Sequence, residues 1–248
     1  MHVADARILV TGATGGIGQA TARRLHARGA RLVLHGRDPD RLTTLASSLD
    51  ASVVAGDLTA IDGPARIARD AEFVDVLVHC AGVGLRGAFA TADPDQLDRL
   101  IALNLRAPVQ LARALLPKMC AARRGHLAFV ASIAGFTAVP HEAVYAATKA
   151  GVLALADSLA LELAGTGVGV STISPGAVAT GFWDARGVPY HRSVPRPISA
   201  GRVADALVRD IESGGGDRIV PGWLGVAPRV RALSPGLYRR LARRLDQS

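Results

Sequence analysis

Short, continuous apolar runs alternate along this chain with longer stretches in which apolar positions recur every three to four residues. ARILVTG leads into GIGQATARRLHARG, ARLVLHGR into DPDRLTTLASSLD, and SVVAGDL and VDVLVHCAG follow. After these come a helical stretch from about Asp93 to Arg124, the run HLAFVAS, an Ala-rich helix around Tyr145, VGVSTISPG, a helical stretch near 200–213, and DRIVPG. Strands that are apolar at every position bury both faces, so the alternation predicts a mostly parallel sheet with helices on both sides. Seven strands are legible. No internal repeat, low-complexity segment or linker divides the chain, and residues 1–248 are expected to form one α/β domain.

Composition narrows the class. With 248 residues and 49% hydrophobic content the chain can bury one large core. It has no uninterrupted apolar run of about 18 residues, so no transmembrane segment is expected. MHVADARILVTG is too weakly apolar for a secretory signal. Cys80 and Cys120 are too few for a disulfide framework or a zinc site, and no metal is expected; they read as reduced thiols of a cytoplasmic protein. The net charge of +8 raises nucleic acid as a partner, but its distribution argues against one. From Arg229 onward there are six Arg against one acid, Asp246, which places +5 of the +8 in the tail.

Candidate chemistry sits at the ends of the predicted strands. After Ile8-Leu9-Val10, the turn Thr11-Gly12-Ala13-Thr14-Gly15-Gly16-Ile17-Gly18 opens a helix. Glycines there let the backbone approach a pyrophosphate, whose charge the helix N-terminus meets. Such a turn predicts a Rossmann-type, doubly wound sheet in three α/β/α layers. The second strand ends in Gly36-Arg37, which lacks an acid for the ribose hydroxyls of NAD and offers a cation for the 2′-phosphate of NADP. Asp38, with Pro39 behind it, reads as a helix cap. Asp57-Leu58 can bracket an adenine, and Cys80-Ala81-Gly82 brings small residues to the path of a ribose. Asn104 lies among leucines, either holding a helix irregularity and a water or facing solvent. Ser132 ends the strand HLAFVAS. Tyr145 and Lys149 stand four apart on one helical face, where an ammonium favours the phenolate. Lys149 is one of only two lysines, the other being Lys118, in a chain with 27 arginines. Arg and Lys differ most at a tight site.

Together TGATGGIG, Asp57-Leu58, CAG at 80–82, Asn104, Ser132, Tyr145-x-x-x-Lys149 and Pro175-Gly176 resemble the short-chain dehydrogenase/reductase family, in its branch of about 250 residues. The resemblance spans nearly the whole chain. It implies that Tyr145 is the acid/base, that Ser132 polarises a carbonyl, and that Lys149 binds the nicotinamide ribose while favouring the tyrosinate. It also implies that Asn104 holds a water in a proton relay. Gly12, Thr14, Gly16, Ile17, Gly18, Arg37, Asp57, Leu58, Ala81, Gly82, Tyr145 and Lys149 would bind the dinucleotide, with Pro175, Gly176, Val178 and Thr180 at its nicotinamide end. The reaction so implied is hydride transfer between NADP(H), favoured over NAD(H), and a small-molecule carbonyl or alcohol. A homodimer or homotetramer built on the helices of Asn104 and Tyr145 is implied as well. Two positions depart from the family. Cys80 replaces a usual Asn, so altered packing is expected, and Gly15 stands where NADP-using members often carry a basic residue.

Residues 177–199 contain Pro189, Pro195 and Pro197, which should exclude regular structure and leave a lid. Its Phe182, Trp183 and Tyr190, with Phe136 and Val139 below, suggest a fairly apolar substrate; the same aromatics could instead pack the lid or a subunit contact. In the tail at 227–248, Leu237, Leu241 and Leu245 share one helical face opposite paired arginines. Packing on the protein is expected, with peripheral membrane contact as the alternative. Two other functions fit parts of the pattern: a nucleotide-sugar epimerase or dehydratase, for which only 99 residues after Lys149 leave little substrate region, and a non-catalytic dinucleotide sensor.

Overall fold

The computed structural model describes residues 2–190 and 194–246, with side chains through Ala242. Strands β1 (Arg7–Thr11), β2 (Arg31–Gly36), β3 (Ser52–Ala55), β4 (Val76–His79), β5 (Gly125–Val130), β6 (Val168–Pro175) and β9 (Gly216–Val220) form one sheet. Its order is β3-β2-β1-β4-β5-β6-β9, and every pairing is parallel. The seven expected strands are thus present in a doubly wound sheet. The order reverses between β1 and β4, where Thr11 lies beside His79, and such a reversal opens a crevice at the strand C-termini.

Alternation of side chains explains why the strands read as continuous apolar runs. Ile8, Val10, Leu32, Leu34, Val76 and Val78 face one core layer, with α1 (Gly16–His26), α2 (Pro39–Ser47) and α8 (Ala200–Ser213) supplying Leu25, Leu42 and Leu207. Leu9, Val33, Leu77, Leu127 and Phe129 face the other, against α3 (Gly63–Asp70), α5 (Ala107–Ala121) and α6 (Ala143–Glu162). α6 is the one described helix long and apolar enough by composition to cross a membrane, and here it packs along β6.

Three expectations change in detail. The stretch from Asp93 is capped by the Asp93 carboxylate, which accepts from Asp95 N at 3.0 Å, but it is not one α-helix. α4 (Pro94–Ile101) passes through a π turn at Ala102–Arg106 into α5. The lid is not free of regular structure either. β7 (Val178–Ala179) pairs in parallel with β8 (Ile198–Ser199), and α7 (Phe182–Ala185) lies between them. These pieces avoid Pro189, Pro195 and Pro197, which bracket rather than interrupt them. The tail is two helices, α9 (Val226–Leu233) and α10 (Pro235–Asp246), broken at Ser234-Pro235. Leu245 lies outside the described side chains.

The sheet buries three histidines that the pattern of apolar runs conceals. His35 on β2 meets Gly56 O at 3.2 Å, His79 on β4 meets Thr11 Oγ1 at 3.2 Å, and His126 on β5 meets Ser171 Oγ at 2.6 Å. Burial lowers their pKa values to about 4, about 3 and about 4 respectively, so all three are neutral in the folded chain. On unfolding each regains an ordinary value near 6.5. Below that pH the unfolded state therefore binds more protons, and stability falls as pH drops from about 6.5 toward 4. Each histidine contributes up to about 1.4 kcal/mol per pH unit to that slope. Urea unfolding at about pH 7, 6 and 5 should show a progressively lower midpoint, with a shallower loss in His79→Gln; a midpoint independent of pH would contradict this account.

Candidate active site

The first βα turn is built for close approach. Gly12 has φ +62°, and a Cβ there would lie 2.8 Å from Ala81 Cα; a Cβ at Gly18 would lie 2.2 Å from Gly12 O. Gly15 caps α1 without a side chain, so no side chain occupies the first N–H groups of the helix. Glycine backbone and open helical donors together fit a pyrophosphate. Thr14 and Ile17 belong to the same turn, Thr14 against Gly36 and Ile17 against the α1 side of the core. Gly16 has a further neighbour, since a Cβ there would meet Thr180 Cγ2 at 2.3 Å.

At the far end of this crevice, Arg37 is exposed beyond β2 and acts electrostatically on Asp57. Asp38 is the helix cap expected, accepting from Arg41 N at 3.1 Å. The Asp57 carboxylate accepts from Thr59 N and Thr59 Oγ1, both at 2.8 Å, and these bonds hold its pKa below the usual carboxylate range. Leu58 is buried beside it. Arg41 Nη2 donates to Thr14 O at 3.3 Å, which brings a second guanidinium over the glycine turn.

Past the crevice, Thr11 Oγ1 accepts from Ala81 N at 3.2 Å while pairing with His79. Cys80 packs into the α1-side layer, and burial pushes its thiol up to about 12. Asn104 is fully buried in the π turn and clamps the next loop: Nδ2 donates to Val83 O at 2.8 Å, and Oδ1 accepts from Val83 N at 2.9 Å. Its irregular helix is present and its side chain does not face solvent. A Cβ at Gly82 would lie 3.2 Å from Asn104 Oδ1 and 3.5 Å from Lys149 Nζ, so this glycine joins the crevice to the residues beyond it.

Those residues converge. Ser132, just past β5, accepts from Ala134 N at 3.1 Å, and its hydroxyl acts on the Tyr145 phenol, working to lower its pKa. Lys149 Nζ donates to Val130 O at 2.9 Å and lies 5.9 Å from the Tyr145 ring centroid. Burial lowers Lys149 to about 8. Burial also raises Tyr145 to about 12; Ser132 and Arg186 oppose that rise and Glu142 adds to it. Arg186 lies in the lid, four residues on from Phe182. Arg186 Nη1 donates to Glu142 Oε1, Nη2 donates to Val188 O at 3.1 Å, and the guanidinium stacks 4.5 Å over Trp183. Phe182 faces Tyr145 at 5.9 Å between centroids, and Tyr190 touches Trp183 at 4.8 Å. Phe136 instead leans on the core, and Val139 lies in the loop before α6. Pro175 ends β6, Gly176 N donates to Val220 O at 2.8 Å, and Val178 and Thr180 carry the chain into the lid. Arg41, Glu142 and Arg186 were not singled out from the sequence. Glu142 stands only three residues before Tyr145, but among so many charged residues nothing local marks it.

Fold and site together define a dinucleotide-dependent oxidoreductase, and the comparisons name its family. Residues 6–188 match the family described as short chain dehydrogenase. A bovine relative, "Dehydrogenase/reductase SDR family member 7B", is 34% identical across 97% of this chain and 81% of its own length. A short-chain dehydrogenase from Sphingobium yanoikuyae, solved with NADPH, superposes with a TM-score of 0.83 at 31% identity, covering 96% of this chain and 95% of that one. A bulky-bulky ketone specific alcohol dehydrogenase from Comamonas testosteroni superposes at 0.78 with 28% identity, covering 93% and 94%. The chain is a member of the short-chain dehydrogenase/reductase family.

The opposed charges around Tyr145 give a signed test. Alcohol oxidation needs the phenolate, so turnover should rise with pH toward the phenol's pKa. Glu142→Gln removes a charge that raises that pKa and should move the rising limb to lower pH, about two- to fivefold faster on the limb. Arg186→Met should move it to higher pH. Profiles of kcat/KM that shift in the same direction, or not at all, would reject this electrostatic picture.

Proposed function

We propose that this enzyme interconverts a fairly apolar ketone and its secondary alcohol with NADP(H) in preference to NAD(H). The observation that carries the reading is the meeting of Ser132, Tyr145 and Lys149 at the C-terminal end of β5, one glycine away from the phosphate-binding turn. Bound there, a nicotinamide dinucleotide supplies or accepts the hydride. Ser132 holds the substrate oxygen, and Tyr145 gives it a proton in reduction and takes one in oxidation. Lys149, anchored on Val130 O, holds the ribose and links the phenol to a proton path that passes Asn104. With its pKa raised to about 12 by desolvation, the phenol rests protonated, the form that reduction requires.

The cofactor preference is supported by Arg37 and Arg41, which flank the adenosine end with no acid at Gly36. Arg41 offers from α2 the cation that Gly15 lacks. The relative from Sphingobium, solved with NADPH, supports the same choice. The apolar substrate is supported by the aromatic lid, with Phe182 over the phenol, and by Leu85, Phe89, Leu97 and Leu100 in a cavity of about 250 Å³ beside Tyr145, whose other wall carries Arg86, Asp93, His141 and Glu142. Exposed Ile101, Val109 and Leu161 on α4, α5 and α6 support self-association through those helices.

Tyr145→Phe should lower kcat by about 10²–10⁴ while still binding NADPH, measured by nucleotide fluorescence. Equal turnover in the two proteins would reject the mechanism, and no turnover in either across a ketone panel would favour a sensor. Arg37→Gln with Arg41→Gln should raise the KM for NADPH about 10–100-fold and leave that for NADH nearly unchanged, since each lost phosphate contact is charge-assisted. Small polar carbonyls reduced far better than bulky apolar ketones would overturn the substrate class.

A further inference from the structure

The C-terminal helices carry a surface that the proposed reaction does not use. α9 and α10 pack against each other and are pinned to the loop before α6. Arg231 Nη1 donates to Phe136 O at 2.6 Å and Tyr238 Oη to Ala138 O at 2.9 Å. That loop runs on into His141 and Glu142, which line the cavity beside Tyr145. Tyr238 and Ala242 thus face the protein, one turn apart. Leu237 and Leu241 occupy the neighbouring face and are not covered. With Trp223, Val226 and Leu233 they form a set of large apolar side chains 44 to 87% exposed, spread over three consecutive segments. Scattered exposed apolar residues are ordinary, but five within nineteen positions of three segments that run on into one another, the later two packed together, are not.

Charge identifies what covers them. Arg229, Arg239 and Arg240 are exposed around this set, and the sequence from Arg229 onward has six arginines against one acid. A second copy of the same surface would bring like charges together. An acidic protein would match the arginines, but it would have to bring its own apolar stripe in register. An anionic bilayer supplies both at once, since its headgroups attract guanidinium groups while its acyl boundary takes Leu and Trp side chains. We infer that α9 and α10 dock this enzyme on an anionic lipid surface, with Leu233, Leu237, Leu241 and Trp223 entering the headgroup boundary and the arginines pairing with phosphates. Docking in this way sets the loop at 136–142, and with it the mouth of the cavity, beside the lipid. The inference concerns attachment and holds whatever the substrate is.

Flotation of the full chain with vesicles tests it directly. The protein should float with phosphatidylcholine vesicles containing about one third phosphatidylglycerol and stay behind with phosphatidylcholine alone. About 0.5 M salt should release most of it. Leu237→Asp with Leu241→Asp, and separately Arg239→Gln with Arg240→Gln, should each weaken binding about tenfold or more. Both pairs should keep the wild-type melting temperature and turnover of a water-soluble ketone, which separates lost docking from lost folding or lost catalysis. Equal binding to neutral and anionic vesicles, no binding, or full binding by the leucine pair would overturn the inference. So would a leucine pair whose particle mass falls, by light scattering, while the wild-type chain ignores vesicles; the face would then belong to a second copy.

Discussion

The architecture depends on how closely the exit of β1 approaches the exit of β4. Thr11 is buried there and serves both sides, accepting from Ala81 N and pairing with His79 across the register. Gly12 follows with a left-handed φ and almost no clearance to the Ala81 backbone, so the chain can turn toward α1 only because that position has no Cβ. Were the two exits held further apart, the helix donors of α1 would not face the loop at 81–83. That loop, through Gly82 and Val83, fixes Asn104 and borders Lys149. One contact between backbones therefore sets the cofactor cradle on one side and the reacting groups on the other. A neutral His79 belongs to the same constraint. Burial keeps it uncharged near the Lys149 ammonium, where a second positive charge would be repelled.

Around the phenol, burial outweighs charge. Tyr145 is half-buried, and the desolvation of its phenol raises the pKa to about 12, although Ser132 and the guanidinium of Arg186 both work to lower it. Burial lowers Lys149 to about 8, and one of its N–H groups donates to Val130 O at 2.9 Å. Two cations therefore stand near the phenol, Lys149 on the next turn of α6 and Arg186 from the lid. Phe182 packs against the phenol ring, and Arg186, held by Glu142 and stacked on Trp183, adds a positive charge that works against the rise.

How much of this could be read from the chain follows from which forces are local. The strands were legible because parallel strands buried on both faces leave unbroken apolar runs, as in Ile8-Leu9-Val10 and Val76-Leu77-Val78. The glycine turn was legible because close backbone approach admits few residue types, and Asn104 because an amide among leucines requires a partner. Arg41, Glu142 and Arg186 were not, since their roles come from contacts across 27 to 44 residues of sequence in a chain where arginine is common. The short strands of the lid were missed for a related reason. Two-residue pairings at Val178–Ala179 and Ile198–Ser199 carry no periodicity, and the prolines between them suggested a wholly irregular loop. The three buried histidines escaped notice because a neutral imidazole within an apolar run is indistinguishable in sequence from an exposed one at its edge.

Two glycines tie the lid to the rest of the site, which makes the substrate end and the cofactor end a single mechanical object. Thr180, at the root of the lid, rests on Gly16 in the phosphate-binding turn; a Cβ at Gly16 would drive into its methyl group. Phe182 and Arg186 rest on Gly84, where a Cβ would come within 2.6 Å of the Phe182 ring. A side chain at either glycine would therefore lift the lid as well as crowd its own loop. Gly16 thus has two reasons to be glycine, approach to a phosphate and approach to Thr180, and the second acts even before any ligand binds. Thr180 in turn accepts from Phe182 N at 3.3 Å, so the contact at Gly16 leads directly to the ring that faces Tyr145. The geometry of the phosphate turn and the surroundings of a phenol on another helix are joined by this contact.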